Sequence, residues 1–283
     1  MKKLLATMVM GLMWSGSAFT EVVSKNPKYL KRGFGYDEVH IANYQKKELH
    51  KHNYTIIKDP TGTSPFKLIE NFSPRKGDCG TAGHFYKANR VKIGSGTTDC
   101  NSNRLRLEVA MDKEIRTGKK DKNVWVSYYI YIPDTKENFN DKFLQPYITQ
   151  FYGSNKEGGG QNRGGYGPQF SASIYNGKLT MDGVTLVDKE NLKGKWHLIE
   201  FNILYSKTNG HVKAYINGEL KVDRIGFETS KHSHAQIKYG SYSHPEYGGA
   251  SYPAGYQFPS HTIYFAGFSI SRDRNKLLTS KKL

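Results

Sequence analysis

Through the second half of the chain, apolar and polar residues alternate with a period of two. Leu105, Leu107 and Val109 fall on one side of an extended segment and Arg104, Arg106 and Glu108 on the other, the pattern of a half-buried strand. The same alternation recurs over residues 124–132, 147–152, 196–204 and 263–271. Residues 211–223 predict a hairpin turning at Asn217-Gly218, the strongest short hairpin signal a sequence offers. Past the amino-terminal segment no stretch shows a sustained helical period with caps. The strands and Gly-rich turns therefore predict an all-β sandwich or jelly roll with little helix.

Two stretches interrupt the strands, residues 153–167 and 245–259, and both are too rich in Gly, Tyr and Asn to pack as core. They are candidate walls or lids of a cleft, and equally candidates for plain surface loops, because composition alone does not show function. Residues 1–18 read as a secretory signal: Lys2 and Lys3 precede an apolar run over residues 4–14, and Gly16 and Ala18 suit a cleavage site. Nothing later approaches the roughly 18–20 uninterrupted apolar residues of a membrane span. A secreted or periplasmic chain beginning near Phe19 is expected. Residues 19–58 are expected to form an amino-terminal extension packed on the domain, irregular over residues 19–53, residues 59–275 to form one β domain, and residues 276–283 to be a basic tail.

Charge narrows the partner. Lys and Arg number 42 against 25 Asp and Glu, a formal net charge of +17, and such an excess attracts polyanions and speeds their capture. Export, and the lack of a basic helical face, zinc spacing or aromatic RNA-binding signature, count against nucleic acid. An acidic polysaccharide is the expected partner of a monomeric protein, with no role for a membrane. Only Cys79 and Cys100 are present, and an even pair in an oxidising compartment is expected to be bridged. Closing that loop of about 20 residues would contribute around 3 kcal/mol.

Four polar groupings could carry chemistry on a sheet face. Arg104, Arg106 and Glu108 project together, so the arginines can bind carboxylates in bidentate fashion while Glu108 orients them; a surface ion-pair ladder is the plain alternative. Gln150 and Tyr152 share a face about 7 Å apart, and a glutamine amide is a neutral donor for a carboxylate. Gln236, Lys238, Tyr242 and His244 share another face with Gly240 among them. That glycine would leave room for a sugar ring or would mark a simple bulge. Lys238 and Tyr242 would stand roughly 13 Å apart on a straight strand. Finally, 20 tyrosines, among them Tyr166, Tyr247, Tyr252 and Tyr256 in the two Gly-rich stretches, offer flat apolar faces with polar tips. The pairs His50/His52 and His232/His234 lack the further ligands a metal site needs, so no metal is expected.

These motifs together resemble the jelly-roll polysaccharide lyases, in particular the heparin lyase I-like and glucuronan lyase group, with alginate lyases more distant. Pro74-Arg-Lys-Gly-Asp-Cys-Gly80, Asp99-Cys100 and Arg104-Leu-Arg-Leu-Glu-Val109 resemble that group's succession of Gly-Asp-Cys-Gly, Asp-Cys and Arg-x-Arg-x-Glu. Lys238-Tyr-Gly-Ser-Tyr242 resembles its Lys-x-Gly-x-Tyr, and Gln150-Phe-Tyr152 its Gln-x-His. Gly194-Lys-Trp196 and Asn217-Gly218 match its Gly-x-Trp and Asn-Gly hairpin. The likeness spans residues 59–272, and the ordered set is more specific than any piece. It implies a concanavalin A-like β-jelly-roll with a concave substrate cleft. It also implies Tyr242 as catalytic tyrosine, Gln150 as carboxylate neutraliser, and Arg106 and Lys238 as substrate-binding cations. Tyr152 stands where relatives hold histidine, so a histidine base is missing there. Tyr152, His244 and His84 are the candidates to replace it.

The chemistry so implied is β-elimination from a uronate: the carboxylate is neutralised, the C5 proton is removed, and a proton is delivered to the departing C4 oxygen. No cofactor is required, and a structural calcium ion is left open. Two competitors belong to other classes. A glycoside hydrolase would need paired carboxylates astride the glycosidic bond, and no Glu-x-Asp-x-x-Glu strand is present. A non-catalytic lectin would share the basic, aromatic face without requiring Tyr242.

Overall fold

The computed structural model describes residues 38–41, 54–76, 105–110, 115–116, 121–136, 138–139, 144–154, 167–243 and 258–281. Among the described residues, fifteen strands run β1 (Glu38–Ile41), β2 (Tyr54–Lys58), β3 (Leu68–Phe72), β4 (Leu105–Ala110), β5 (Ile115–Arg116), β6 (Lys122–Tyr131), β7 (Tyr147–Ser154), β8 (Gly167–Tyr175), β9 (Lys178–Met181), β10 (Val184–Val187), β11 (Trp196–Tyr205), β12 (Gly210–Ile216), β13 (Glu219–Phe227), β14 (His234–Ser243) and β15 (Ile263–Ser271). Among the described residues, helix is confined to α1 (Lys189–Leu192) and two single 3₁₀ turns near the carboxy terminus, and no helix is long and apolar enough to cross a membrane.

The strands form two antiparallel sheets packed as a β-jelly-roll sandwich. The larger has the order β1-β4-β14-β7-β8-β9-β10, with β5 also pairing with β14; the smaller has the order β13-β12-β11-β6-β15-β3-β2. The predicted strands lie where the alternation put them. Leu105, Leu107 and Val109 are buried, as are Ile199, Phe201 and Ile203 on β11. The hairpin turns at Asn217-Gly218, both with positive φ, as a two-residue turn of this hand requires. Asn176-Gly177 and Asp182-Gly183 make turns with the same backbone signs between β8, β9 and β10. In the amino-terminal extension, β1 pairs with β4 and β2 pairs with β3. Residues 277–279 also pack on the sandwich, with Leu277 and Thr279 fully buried and the Thr279 hydroxyl bonded to Ser127 Oγ at 2.7 Å.

Aromatic rings join the two layers. Tyr239 of β14 lies against Phe268 of β15 with centroids 3.8 Å apart and planes 16° from parallel. Phe268 continues onto Tyr128 of β6 at 5.6 Å. Each ring carries a large apolar area and gains from the offset geometry. Their hydroxyls find buried partners, Tyr128 with Thr149 Oγ1 at 2.5 Å and Tyr239 donating to Glu70 Oε2 at 2.7 Å. Tyr54 also donates to Glu70 Oε2, at 3.1 Å.

Glu70 is fully buried, and its other oxygen, Oε1, has no hydrogen-bond partner. Desolvation pushes its carboxyl up to about 7, against the pull of the two tyrosine hydroxyls. A folded-state value above the unfolded one means that the native state holds the proton more tightly, so stability is lost as pH rises from about 4.5 towards 7. Replacing Glu70 by Gln removes this ionisation. Relative to the parent, the E70Q variant should therefore gain about 3 kcal/mol between pH 4.5 and pH 7.5, measured by urea unfolding across that range. An offset independent of pH would show that Glu70 titrates alike in the folded and unfolded protein.

Candidate active site

Strand β14 lies inside the larger sheet, between β4 and β7, and its residues alternate between two environments. Ala235, Ile237 and Tyr239 face the core and are buried, so Gln236, Lys238 and Tyr242 belong to the outer face, turned away from the smaller sheet. The register then determines who stands beside whom. Lys238 is opposite Gln150 on β7 and Ala110 on β4; Tyr242 is opposite Tyr147 on β7 and Arg106 on β4; Gln236 is opposite Tyr152. The sequence motifs, more than a hundred residues apart in places, thus converge on one patch of sheet. Lys238 and Gln150 are direct neighbours, a pairing their separation in sequence could not show.

Burial divides the patch. Glu108, Gln150 and Lys238 are 1%, 2% and 9% exposed, whereas Tyr242 and Gln236 remain partly exposed. The Gln150 amide nitrogen is buried without a hydrogen-bond partner. A buried donor left unmade costs about 1–3 kcal/mol, so a group that accepted from it would recover that energy. In a desolvated setting, hydrogen bonds and charges are also worth more than at an open surface. Tyr242 packs obliquely on Tyr147, centroids 5.7 Å apart and planes at 36°. Gln150 lies three residues from Tyr147 along β7, about 10 Å on a straight strand.

Gly240 performs a backbone task. The pairing of β14 with β7 slips between Tyr239 and Tyr242, a bulge, and Gly240 has φ +137°. A Cβ there would come within 2.3 Å of the Leu107 carbonyl oxygen and 2.9 Å of the Phe72 ring. Of the two roles open to this glycine, the bulge is the one its surroundings explain, because its missing side chain makes way for β4 and the core. Bulges re-aim the side chains that follow them, here Tyr242.

Sequence reasoning missed the support behind Tyr242. Ser241 Oγ and His261 Nε2 are 2.6 Å apart and buried, and His261 Nδ1 is 3.1 Å from the Pro259 carbonyl oxygen. Nδ1 therefore donates to Pro259 and Nε2 accepts from Ser241. Burial lowers the His261 imidazole to about 4, so it is neutral at ordinary pH. Only a contact spanning twenty residues reveals this pair, and no local pattern encodes it. Of the remaining candidates, Arg104, His244, His84, Cys79 and Cys100 lie outside the described residues, as do Tyr166, Tyr247, Tyr252, Tyr256, His50 and His52. Arg106 and Tyr152 are placed by backbone register alone. His234 Nδ1 is bonded to Ser233 Oγ at 2.8 Å, and the described residues contain no group of three or more metal-ligating side chains.

A polar, partly desolvated sheet face carrying a tyrosine, a lysine and a glutamine is suited to binding and deprotonating an acidic sugar. The Polysaccharide lyase family model matches residues 35–269, and the chain belongs to that family. It is a polysaccharide lyase, the class that the sequence resemblance implied. No protein of curated function matches it significantly in sequence. Among solved structures it is similar to an endo-β-1,4-glucuronan lyase from the fungus Trichoderma reesei, at 13% identity and a TM-score of 0.56, covering 86% of this chain and 93% of that one. It is also similar to alginate lyase AlyC3, with 13% identity, 76% and 77% covered and a TM-score of 0.48. Alginate lyase A1-II′ has 14% identity, 76% and 82% covered and a TM-score of 0.43. The glucuronan lyase likeness is one of fold, and it supports the jelly-roll assignment.

Gly240→Ala should cost about 2–4 kcal/mol in urea unfolding, since the new methyl group meets backbone that cannot swing aside. A loss below 0.5 kcal/mol would show that β14 relaxes freely around the bulge.

Proposed function

We propose that this lyase is exported and cleaves a uronate-containing acidic polysaccharide by β-elimination, with Tyr242 as the catalytic base and then acid. The observation that carries the proposal is the register of β14. It sets a partly exposed Tyr242 beside Arg106 and Tyr147, on the same face as the adjacent Lys238 and Gln150. In this reading Gln150 and Arg106 bind the uronate carboxylate, and the unpartnered amide nitrogen of Gln150 donates to it. Withdrawing charge from the carboxylate acidifies the C5 proton. Tyr242 takes that proton and returns one to the C4 oxygen as the glycosidic bond breaks, leaving an unsaturated uronate at the new end. Lys238, Arg104, Glu108, Gln236, Tyr152 and His244 are assigned to the binding of flanking sugars.

A phenol of ordinary pKa near 10 costs about 4 kcal/mol to ionise at pH 7. The cations of the face, within a chain of net charge +17, favour the phenolate. One tyrosine serves both proton transfers when the C5 proton and C4 oxygen lie on the same side of the ring, as in glucuronate and mannuronate. Guluronate and iduronate call for a second group on the opposite side. Tyr152 in place of histidine therefore favours glucuronan- or mannuronan-like chains. The amino-terminal Lys-Lys and apolar run support export.

The test is ultraviolet absorbance of the unsaturated product over a panel of glucuronan, alginate blocks, heparin-type glycans and hyaluronan, for the parent and Tyr242→Phe. The expected result is product from glucuronan or mannuronate-rich alginate, reduced roughly 10²–10⁴-fold in the variant, with activity rising towards alkaline pH. Undiminished product from Tyr242→Phe, or a profile flat from acid to alkaline pH, would remove the tyrosine from the reaction.

A further inference from the structure

The outer face of the larger sheet continues well past Tyr242. Each member of one row is the register partner of the next: Tyr242 on β14, Tyr147 on β7, Ser173 on β8, Thr180 on β9 and Thr185 on β10. Strands lie about 4.8 Å apart, so Thr185 stands roughly 19 Å from Tyr242 across the sheet. The intervening row is hydroxylic, with Thr180 Oγ1 3.4 Å from Ser173 Oγ. Core-facing neighbours Ile174, Leu179 and Met181 are fully buried, which sets Tyr175, Lys178 and Thr180 on the outer face.

The row ends in an open pocket of about 400 Å³ lined by Tyr175, Asn176, Lys178, Thr180, Gly183 and Thr185. Tyr175 is 40% exposed and stands directly opposite Lys178 across the turn. A flat aromatic face beside an ammonium group matches a uronate, whose ring carbons stack while its carboxylate meets the cation. The ammonium group is 3.6 Å from an Asp188 carboxylate oxygen, with both side chains largely exposed. Such a pair is worth little, so an incoming carboxylate can compete for it. At the turn Asn176 and Gly177 take left-handed φ values, and a Cβ at Gly177 would lie 3.1 Å from the Lys189 side chain.

We infer that this pocket is a distal subsite that takes a uronate of the same polymer several sugars away from the bond at Tyr242, with Tyr175 stacking on the ring and Lys178 binding the carboxylate. The inference rests on the proposal that the outer face around Tyr242 is the cleft. It makes the enzyme favour chains long enough to reach both places.

Two measurements separate this inference from that proposal. Elimination by the parent and its loss in Tyr242→Phe test the cleft. The subsite is tested by calorimetric binding of size-graded uronate oligomers to Tyr242→Phe and to the same variant carrying Tyr175→Ala and Lys178→Ala. Melting temperatures of both report that the fold is intact. The expected result is affinity that steps up once oligomers span the row, with that step reduced about tenfold by the two substitutions. The long-to-short ratio of kcat/KM should fall in parallel when they are placed in the active parent. Equal loss for short and long oligomers, or an unchanged step, would overturn the subsite even if Tyr242 proves catalytic. A step abolished by the substitutions would uphold it even if another group is the base.

Discussion

The contact on which the site depends is the stacking of Tyr239 on Phe268 between the layers. A strand presents alternate residues to opposite faces, so a slip of one residue would exchange its two sets of side chains. Tyr239, wedged among Phe72, Phe265 and Phe268 and tied to Glu70 through its hydroxyl, has one place to go. Its anchorage fixes which residues of β14 face outwards. Lys238 and Tyr242 are set on the outer face by a ring that points the other way. The Gly240 bulge then adjusts the aim between them, and the Ser241–His261 pair secures the strand beyond it.

The sandwich was legible because its strands bury one face. Leu105, Leu107 and Val109 announced β4, and Asn217-Gly218 announced the β12–β13 hairpin. The strands that escaped notice lack that contrast. β8, Gly-Pro-Gln-Phe-Ser-Ala-Ser-Ile-Tyr, places Ser and Gln against Phe, Ala and Ile, a weak alternation. β9 and β10 are four residues each, too short to register as periods, although Asn176-Gly177 and Asp182-Gly183 carried much the same turn signal as Asn217-Gly218. β2 and β3 are five residues each, again short, although Asp59-Pro-Thr-Gly-Thr-Ser-Pro65 between them is a turn signal.

The candidate site was legible in its members and illegible in its arrangement. Shared-face spacing singled out Gln150, Lys238 and Tyr242 correctly as outer-face residues, because that is a local property. Which of them are neighbours depends on the pairing of β4, β14 and β7, which are far apart in the chain. Tyr147 and His261 went unseen for the same reason: each matters through a partner distant in sequence. Nor did spacing disclose that Lys238 and Gln150 would be buried, since burial depends on what lies over the face as well as on the strand itself.

Two buried groups respond to acid in opposite senses. Glu70 keeps its proton up to about 7 against an ordinary 4.5, and His261 refuses one down to about 4 against an ordinary 6.5. Between about pH 4.5 and 6.5, folding draws a proton onto the first and expels one from the second, so the net uptake of the pair is close to zero. The slope of stability with pH is proportional to that uptake, and the two contributions cancel through this window. The carboxyl is held by Tyr54 and Tyr239 and the imidazole by Ser241 and Pro259, so two unrelated sets of hydrogen bonds make opposing contributions to the response to acid.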